Sequence, residues 1–319
     1  MVRKITSGTG VISTVAGNYS AGPGFSGDGG LATAAQFDGT AGIAVDNAGS
    51  LFILDQGNYC IRKVSPSGFI SAFAGTPTMS GSTGDGGPAT AAKFILGIGM
   101  KFNSDQSKLF IADGLGNKVR VIDMSGSNTI STIAGTGAYG FSGDGGPASS
   151  AVFAAVEDVA IDNGGNIYIA DMHNARIRKI DVYTGDVSTV AGSVTIGYAG
   201  DGSAATSSAV EIASSFVNVD AAGNLYLSGI ASNYPIRYVC SSTTPDFTIT
   251  STPADGSTTC VNMPITFSAN TVNGGCGTYY WYKLVSSTPV MVGTGLTYVD
   301  YHPTTMPRDA VQNAIPEQG

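Results

Sequence analysis

The chain has 319 residues, only 12% of them charged, and 15 Lys and Arg against 23 Asp and Glu leave a net charge of −8. A field of that sign repels polyanions and no basic block with interleaved aromatics offsets it, which argues against nucleic acid as a partner. Forty-five glycines point to an all-β chain of secreted type, and no run approaches the roughly 20 apolar residues of a membrane span, so direct membrane insertion is not expected.

In chain order the first recognisable pieces are Arg3-Lys4-Ile5 and Ile12 to Gly17 (ISTVAG). They match Arg62-Lys63-Val64 and Ile70 to Gly75 further on, so residues 1–17 read as the second half of a unit whose first half is absent. Met1-Val2-Arg3-Lys4 does not lead into the apolar stretch of a signal peptide, and Met1 reads as an internal start or the end of a fragment. Complete units follow at about 37–75, 94–135 and 153–192, with a weaker one at about 212–239. Two marks keep their period. Gly-Asp-Gly-Gly places Asp28, Asp85 and Asp144, and Gly-Asp-Gly-Ser places Asp201, at intervals of 57, 59 and 57 residues. An Asp followed seven residues later by an Arg gives Asp55/Arg62, Asp113/Arg120 and Asp171/Arg178, each step 58 residues. Two marks holding one period through insertions define a structural repeat.

Within the third unit, Asp158 to Asp162, Asn166 to Ala170, Arg176 to Ile180 and Asp186 to Ala191 are short runs rich in Val, Ile and Tyr, separated by turn formers. Four antiparallel strands with both faces apolar, and no amphipathic helix, describe the blade of a β-propeller. The recurring GDGGPA, G-I-A-V-D, G-N-I-Y-I-A-D, N-x-R-I-R-K-I and I-S-T-V-A-G elements over residues 3–239 resemble the bacterial NHL repeat. That resemblance implies a propeller of usually six blades, extracellular or at the cell surface, used chiefly to bind partners; lyases and lactonases share the architecture. The fourth unit has Gly229 where the others have Asp. Two outcomes stay open for residues 1–240: Ile12 to Gly17 closes a four-bladed ring, or the arc is part of a larger propeller.

From Ser241 the composition changes. Phe247 to Thr250, Ile265 to Ala269, Thr278 to Leu284, Val290 to Val292 and Leu296 to Val299 read as strands, and residues 241–319 resemble the Ig-like or PKD-like modules of bacterial surface proteins. Trp281 is its expected core residue, and the module is shorter than the about 100 residues of a complete sandwich, so truncation is expected. A Cys260–Cys276 bridge is plausible in a secreted module; Cys240 lies beside it, Cys60 stands alone in a blade, and no CxxC spacing suggests a thiolate metal site.

Strand parity places the loops after the second and fourth strands of every blade on one rim. It carries Asp28, Asp85, Asp144, Asp201, Tyr59, His173, Asn174, Asn233 and Tyr234, the ligand-binding candidates for a protein, peptide or glycan. Asp55, Asp113 and Asp171 are expected to pair with Arg62, Arg120 and Arg178 across the sheet as structural elements. The Gly-Asp-Gly-Gly aspartates read as turn residues that bond backbone amides; calcium, which takes six to eight oxygens, is the alternative, and one acid per loop falls short of it. With only His173 and His302, a zinc-dependent lyase site has too few imidazoles, and Glu157 and Asp158 form the only inner-strand carboxylate pair for a lactonase-like site. The expectation is a binding or adhesion scaffold without cofactor; a metal-dependent lyase or lactonase and a purely architectural repeat are the alternatives.

Overall fold

The computed structural model describes residues 1–95, 97, 99–193, 197, 204–210, 216–228 and 236–239, and beyond them the backbone of five strands. It divides into two units, one of Met1–Ala221 and Leu225–Val239, the other of Ala222–Asn224 and Cys240–Gly319.

The first unit opens on a hairpin, β1 (Val2–Ile5) and β2 (Ile12–Ala16). Three four-stranded antiparallel blades follow. Blade one is β3 (Thr40–Val45), β4 (Leu51–Asp55), β5 (Cys60–Val64) and β6 (Ile70–Ala74); blade two is β7 (Met100–Phe102), β8 (Lys108–Asp113), β9 (Lys118–Asp123) and β10 (Ile130–Ala134). In blade three the short β11 (Gly146–Pro147) joins the outer edge of β12 (Val156–Ile161), β13 (Ile167–Asp171), β14 (Arg176–Ile180) and β15 (Asp186–Ala191). Blade four is described as β16 (Phe216–Val219), β17 (Leu225–Ser228) and β18 (Ile236–Val239). These four small antiparallel sheets are arranged as a β-propeller.

The hairpins form where the sequence supplies turn chemistry. Between β12 and β13, Asp162 Oδ1 accepts from Asn166 N and Gly165 sits at φ 89°; between β14 and β15, Asp181 Oδ1 accepts from Tyr183 N and Thr184 N. All five residues of β13 are buried, as a strand covered on both faces requires. In each of the first three blades, and in the opening hairpin, the ladder between third and fourth strands slips at one place. It does so between Val2 and Arg3, Ile61 and Arg62, Val119 and Arg120, and Ile177 and Arg178. A bulge re-aims the side chain beside it, and the residue beside it is the repeat's arginine.

The core is a series of clusters, each built between consecutive sheets. Val2, Ala16, Phe37, Ile53 and Ile70 join the opening hairpin to blade one. Phe52, Leu54, Phe94 and Ile111 join blade one to two, Val119, Phe153 and Ile169 join two to three, and Ile177, Val217 and Leu227 join three to four. Among the described residues no cluster joins blade four to the opening hairpin. Short 3-10 turns that sequence patterning did not foresee lie in the connectors, at Ala32–Ala34, Ala89–Ala91, Ala148–Ser150 and Ala205–Ser207. Small alanines let these turns wedge between sheets.

In the second unit, β19 (Asp246–Thr252), β20 (Ile265–Val272) and β23 (Thr297–Asp300) form one antiparallel sheet, and β21 (Tyr280–Val285) pairs with β22 (Thr288–Thr294). The Trp281 side chain, the proposed Cys260–Cys276 bridge and Cys240 lie outside the described residues.

Candidate functional site

The second and third strands of each blade meet in a loop made by one 3-10 turn, at Gln56–Asn58, Gly114–Gly116 and Met172–Asn174. Each ends in a left-handed residue, Tyr59, Asn117 or Ala175, at φ between 50° and 55°. These loops define one rim. Tyr59 is half-buried in this role, whereas His173 is exposed.

Asp55, Asp113 and Asp171 sit fully buried at the base of the loops, where each carboxylate draws the chain together. Asp55 Oδ1 accepts from Asp38 N and Asn58 Nδ2, at 2.8 and 2.9 Å. Asp113 accepts from Ile95 N and Ser82 Oγ, both at 2.7 Å. Asp171 accepts from Ala154 N at 2.7 Å and from Asn174 Nδ2 on both oxygens. Burial pushes all three acids upward against these hydrogen bonds and the nearby guanidinium, Asp171 to about 6. Asn174 also donates to Gly140 O at 2.7 Å, so its amide is committed inside the fold.

The arginines form the ion pairs expected from the sequence and add shorter ones that the sequence reading did not assign. Arg62, Arg120 and Arg178 are fully buried, but the seven-residue partner is the distant one: 3.7 Å from Arg62 to Asp55, 3.8 Å from Arg120 to Asp113, 3.3 Å from Arg178 to Asp171. Their short contacts go to the Gly-Asp-Gly-Gly aspartates. Arg62 reaches Asp28 at 2.5 Å, and Arg120 and Arg178 reach Asp85 and Asp144 at 2.6 Å, each also through Nε. The other carboxylate oxygen is used too, by Ala72 N, Thr132 Oγ1 and Thr189 Oγ1. At Asp85 partial burial works upward, yet the bonds from Thr132 and Arg120 outweigh it and hold the acid below its usual range.

These aspartates are therefore not displayed on the rim as strand parity implied. Each connector leaves and re-enters on that rim, but its Gly-Asp-Gly-Gly turn runs down the outer edge of the fourth strand. Gly29, Gly86 and Gly145 donate to Ile70 O, Ile130 O and Val187 O, near the fourth strand's opposite end. Connectors of this length have room to descend and return, and the guanidinium fixes the carboxylate half-way. Gly27, Gly84 and Gly143, at φ 93°, 98° and 97°, would place a Cβ 2.7 to 2.8 Å from the Cα of Ala35, Ala92 and Ala151, so these positions require glycine. Asp201, Asn233 and Tyr234 lie outside the described residues.

Aromatic rings complete the clamp. Arg62 lies between Phe25 and Phe37 at 4.7 and 4.8 Å, and Arg178 between Phe141 and Phe153 at 4.6 and 5.2 Å. Arg120 has Phe94 at 5.2 Å, while Ser82 occupies the place of the other ring and bonds Asp113.

Near the inner strands, Asp158 is buried and accepts from Val159 N and, across the seam to blade four, from Val217 N at 3.0 Å. Burial pushes it to about 7 against those two bonds. Its neighbour Glu157 sits in the bulge between Val156 and Asp158, where burial raises it and His173 opposes the rise. Among the described residues no three His, Cys, Asp or Glu side chains gather as metal ligands.

On the rim of blade three the exposed residues assemble. Tyr139 and His173 lie with ring centroids 5.8 Å apart. Two residues after Tyr139 and three after His173, Phe141 and Arg176 stack at 4.1 Å. Sequence reasoning named His173 and missed Tyr139, Phe141 and Arg176; comparing the repeats position by position would have exposed Tyr139, where the other connectors carry Pro23 and Ser80, and Arg176, where blades one and two carry Cys60 and Lys118, but not Phe141, which matches Phe25.

No family model matches the chain, and no curated protein does. Among solved structures, an auxiliary nutrient binding protein from Bacteroides thetaiotaomicron is 14% identical with a TM-score of 0.50, over 73% of this chain and 50% of that one. A protein of unknown function from the same organism is 18% identical, TM-score 0.48, over 63% and 47%. A virginiamycin B lyase from Staphylococcus aureus is 11% identical, TM-score 0.35, over 72% and 62%. The chain spans about half the length of the first two. Binding proteins and enzymes both occur among these neighbours. What is shared is the fold: the chain is a β-propeller.

Proposed function

We propose that this protein is a non-catalytic binding or adhesion scaffold of the cell surface or extracellular space, whose rim loops take a protein, peptide or glycan partner without a cofactor. One observation carries this reading: the charged residues that repeat are consumed by the clamp, whereas the residues that differ between blades stand exposed on the rim. A group already bonded to two internal partners has little left for substrate chemistry; the exposed Tyr139 and His173 rings take no part in the clamp. The auxiliary nutrient binding protein of similar fold supplies a precedent for binding on such a scaffold. The second unit serves as spacer or adhesive module.

The test is to probe the purified chain with glycan and peptide arrays, before and after EDTA, beside assays of lactone hydrolysis and peptide lyase activity. Retained binding without turnover supports the scaffold. EDTA-sensitive turnover of a lactone or a lyase substrate overturns it in favour of the enzyme. Absence of both leaves an architectural repeat.

A further inference from the structure

Resting on that reading, we infer that the rim of blade three is a subsite for an acidic sugar, a pyranose bearing a carboxylate, with Tyr139 and His173 as the stacking platform and Arg176 as the carboxylate fork.

The internal repeats act as an alignment that separates structural from functional residues. Asp144, Asp171 and Arg178 match their counterparts in blades one and two and are held by the clamp. His173 and Arg176 do not match theirs, and both lie next to exposed rings. Tyr139 is 66% exposed, a high value for an aromatic side chain that fills no core, whereas Phe141, the counterpart of Phe25, packs on Arg178 and also props Arg176.

The chemistry of the cluster is specific. Tyr139 and His173 are tilted 53° to one another, so the exposed Tyr139 ring offers its face to the C–H face of a sugar while the imidazole stands at an angle beside it. Arg176 is propped by its contact with the Phe141 ring, a cation–π arrangement that leaves the edge of the guanidinium for another partner. Its Nη1 donates to Asn174 O at 2.6 Å, and among the described residues no carboxylate forms an ion pair with it. Asn174 holds the two segments together by its bond to Gly140 O, so the platform and the fork are placed by one rigid contact. An exposed aromatic face beside a guanidinium with no carboxylate partner among the described residues fits a uronic acid better than a neutral sugar, which leaves the cation unused. It also fits it better than an acidic peptide, which leaves the platform unused. With the whole chain at −8, long-range steering of an anion is unfavourable, so the contact must act at short range.

The experiment is titration calorimetry of the full chain with an oligogalacturonate, the matching neutral galactose oligomer and an Asp/Glu-rich peptide, at about 0.05 and 0.5 M salt. The variants use residues the other blades already carry, Arg176→Cys and His173→Leu, with Tyr139→Ala as a third and Tyr183→Ala, on the exposed hairpin of blade three, as a control. The expected result is binding of the oligogalacturonate alone. Arg176→Cys should weaken it by about tenfold or more, as loss of a charge-assisted fork implies, and higher salt should weaken it too. Tyr139→Ala and His173→Leu should weaken it at both salts, with Tyr183→Ala unaffected. Equal binding of the neutral oligomer, or an Arg176→Cys variant that binds as wild type, overturns the acidic-sugar assignment while leaving a rim scaffold standing. Peptide binding in place of sugar overturns it in the same way. No binding of any probe, together with no hit on the arrays, removes both.

Discussion

If the principal partner of each buried arginine is the connector aspartate, then in blade two Arg120 should be coupled more strongly to Asp85 than to Asp113. The perturbation is a pair of double-mutant cycles, Arg120→Met with Asp85→Asn and Arg120→Met with Asp113→Asn. Arg120 meets Asp85 through two bonds, at 3.1 and 2.6 Å. Hydrogen bonds to charged groups contribute about 1.5–3 kcal/mol each, but 39% of the Asp85 side chain is exposed. Solvent screening lowers the expected coupling to about 2 kcal/mol. Asp113 is 3.8 Å from Nη1 without a hydrogen bond and already has two other donors, so coupling of about 1 kcal/mol or less is expected there. Arg120→Met alone should cost about 3–5 kcal/mol, because it removes both bonds to Asp85 and leaves Lys93 O and Thr83 O without their donor. Urea denaturation followed by circular dichroism measures all three. A larger coupling to Asp113 than to Asp85 refutes the reasoning.

Gly116→Asn by itself should destabilise blade two by about 1–3 kcal/mol, because its Cβ meets Ser82 Oγ at 2.7 Å and the Asp113 carboxyl at 2.8 Å. Adding Ser82→Phe recreates the Phe-and-Asn combination of blades one and three and should recover most of the loss in a thermal melt. Asp158 and Asp171, raised to about 7 and about 6, make the folded state hold more protons than the unfolded chain above about pH 4. Their contribution to stability is full below that pH and is lost as pH rises to about 7. Asp158→Asn should flatten the upper part of a Tm profile, by about 5 °C between pH 5 and 8; Lys101 and Glu157, the charges acting on Asp158, remain in place, and an unchanged profile contradicts the assignment. Cys60 is buried and pushed up to about 12 by burial first and then by Asp55. It should escape alkylation at pH 8 until the blade is unfolded, as peptide mapping would show.

The strands were legible because each blade repeats the same short Val/Ile/Tyr runs between Asp, Asn and Gly turns, and β-structure encodes itself at that range. Arg176 to Ile180 and Asp186 to Ala191 are observed with the bounds the pattern implies. The clamp was half legible. Asp171 and Arg178 lie on adjacent strands two positions out of register, so spacing finds them, but Asp144 and Arg178 are 34 residues apart and meet only because the connector doubles back along the blade. The constancy of that offset, 34 residues from Asp28 to Arg62 and 35 from Asp85 to Arg120, is the signal that was available. The rim cluster was least legible. Tyr139 and His173 belong to different loops, and a ring that packs on nothing leaves no periodicity.

The clamp also settles where one unit ends and the next begins. Asp28, Asp85 and Asp144 each precede the blade whose arginine they hold, so a connector belongs by charge to the blade after it. By its apolar turn, as with Ala89, Ala92 and Phe94 beside Phe52 and Ile61, it also adheres to the blade before. Gly75 and Gly135 stand at the joints, after the fourth strand. Segments bounded there are cassettes, each bringing its own lock and its own adhesive surface.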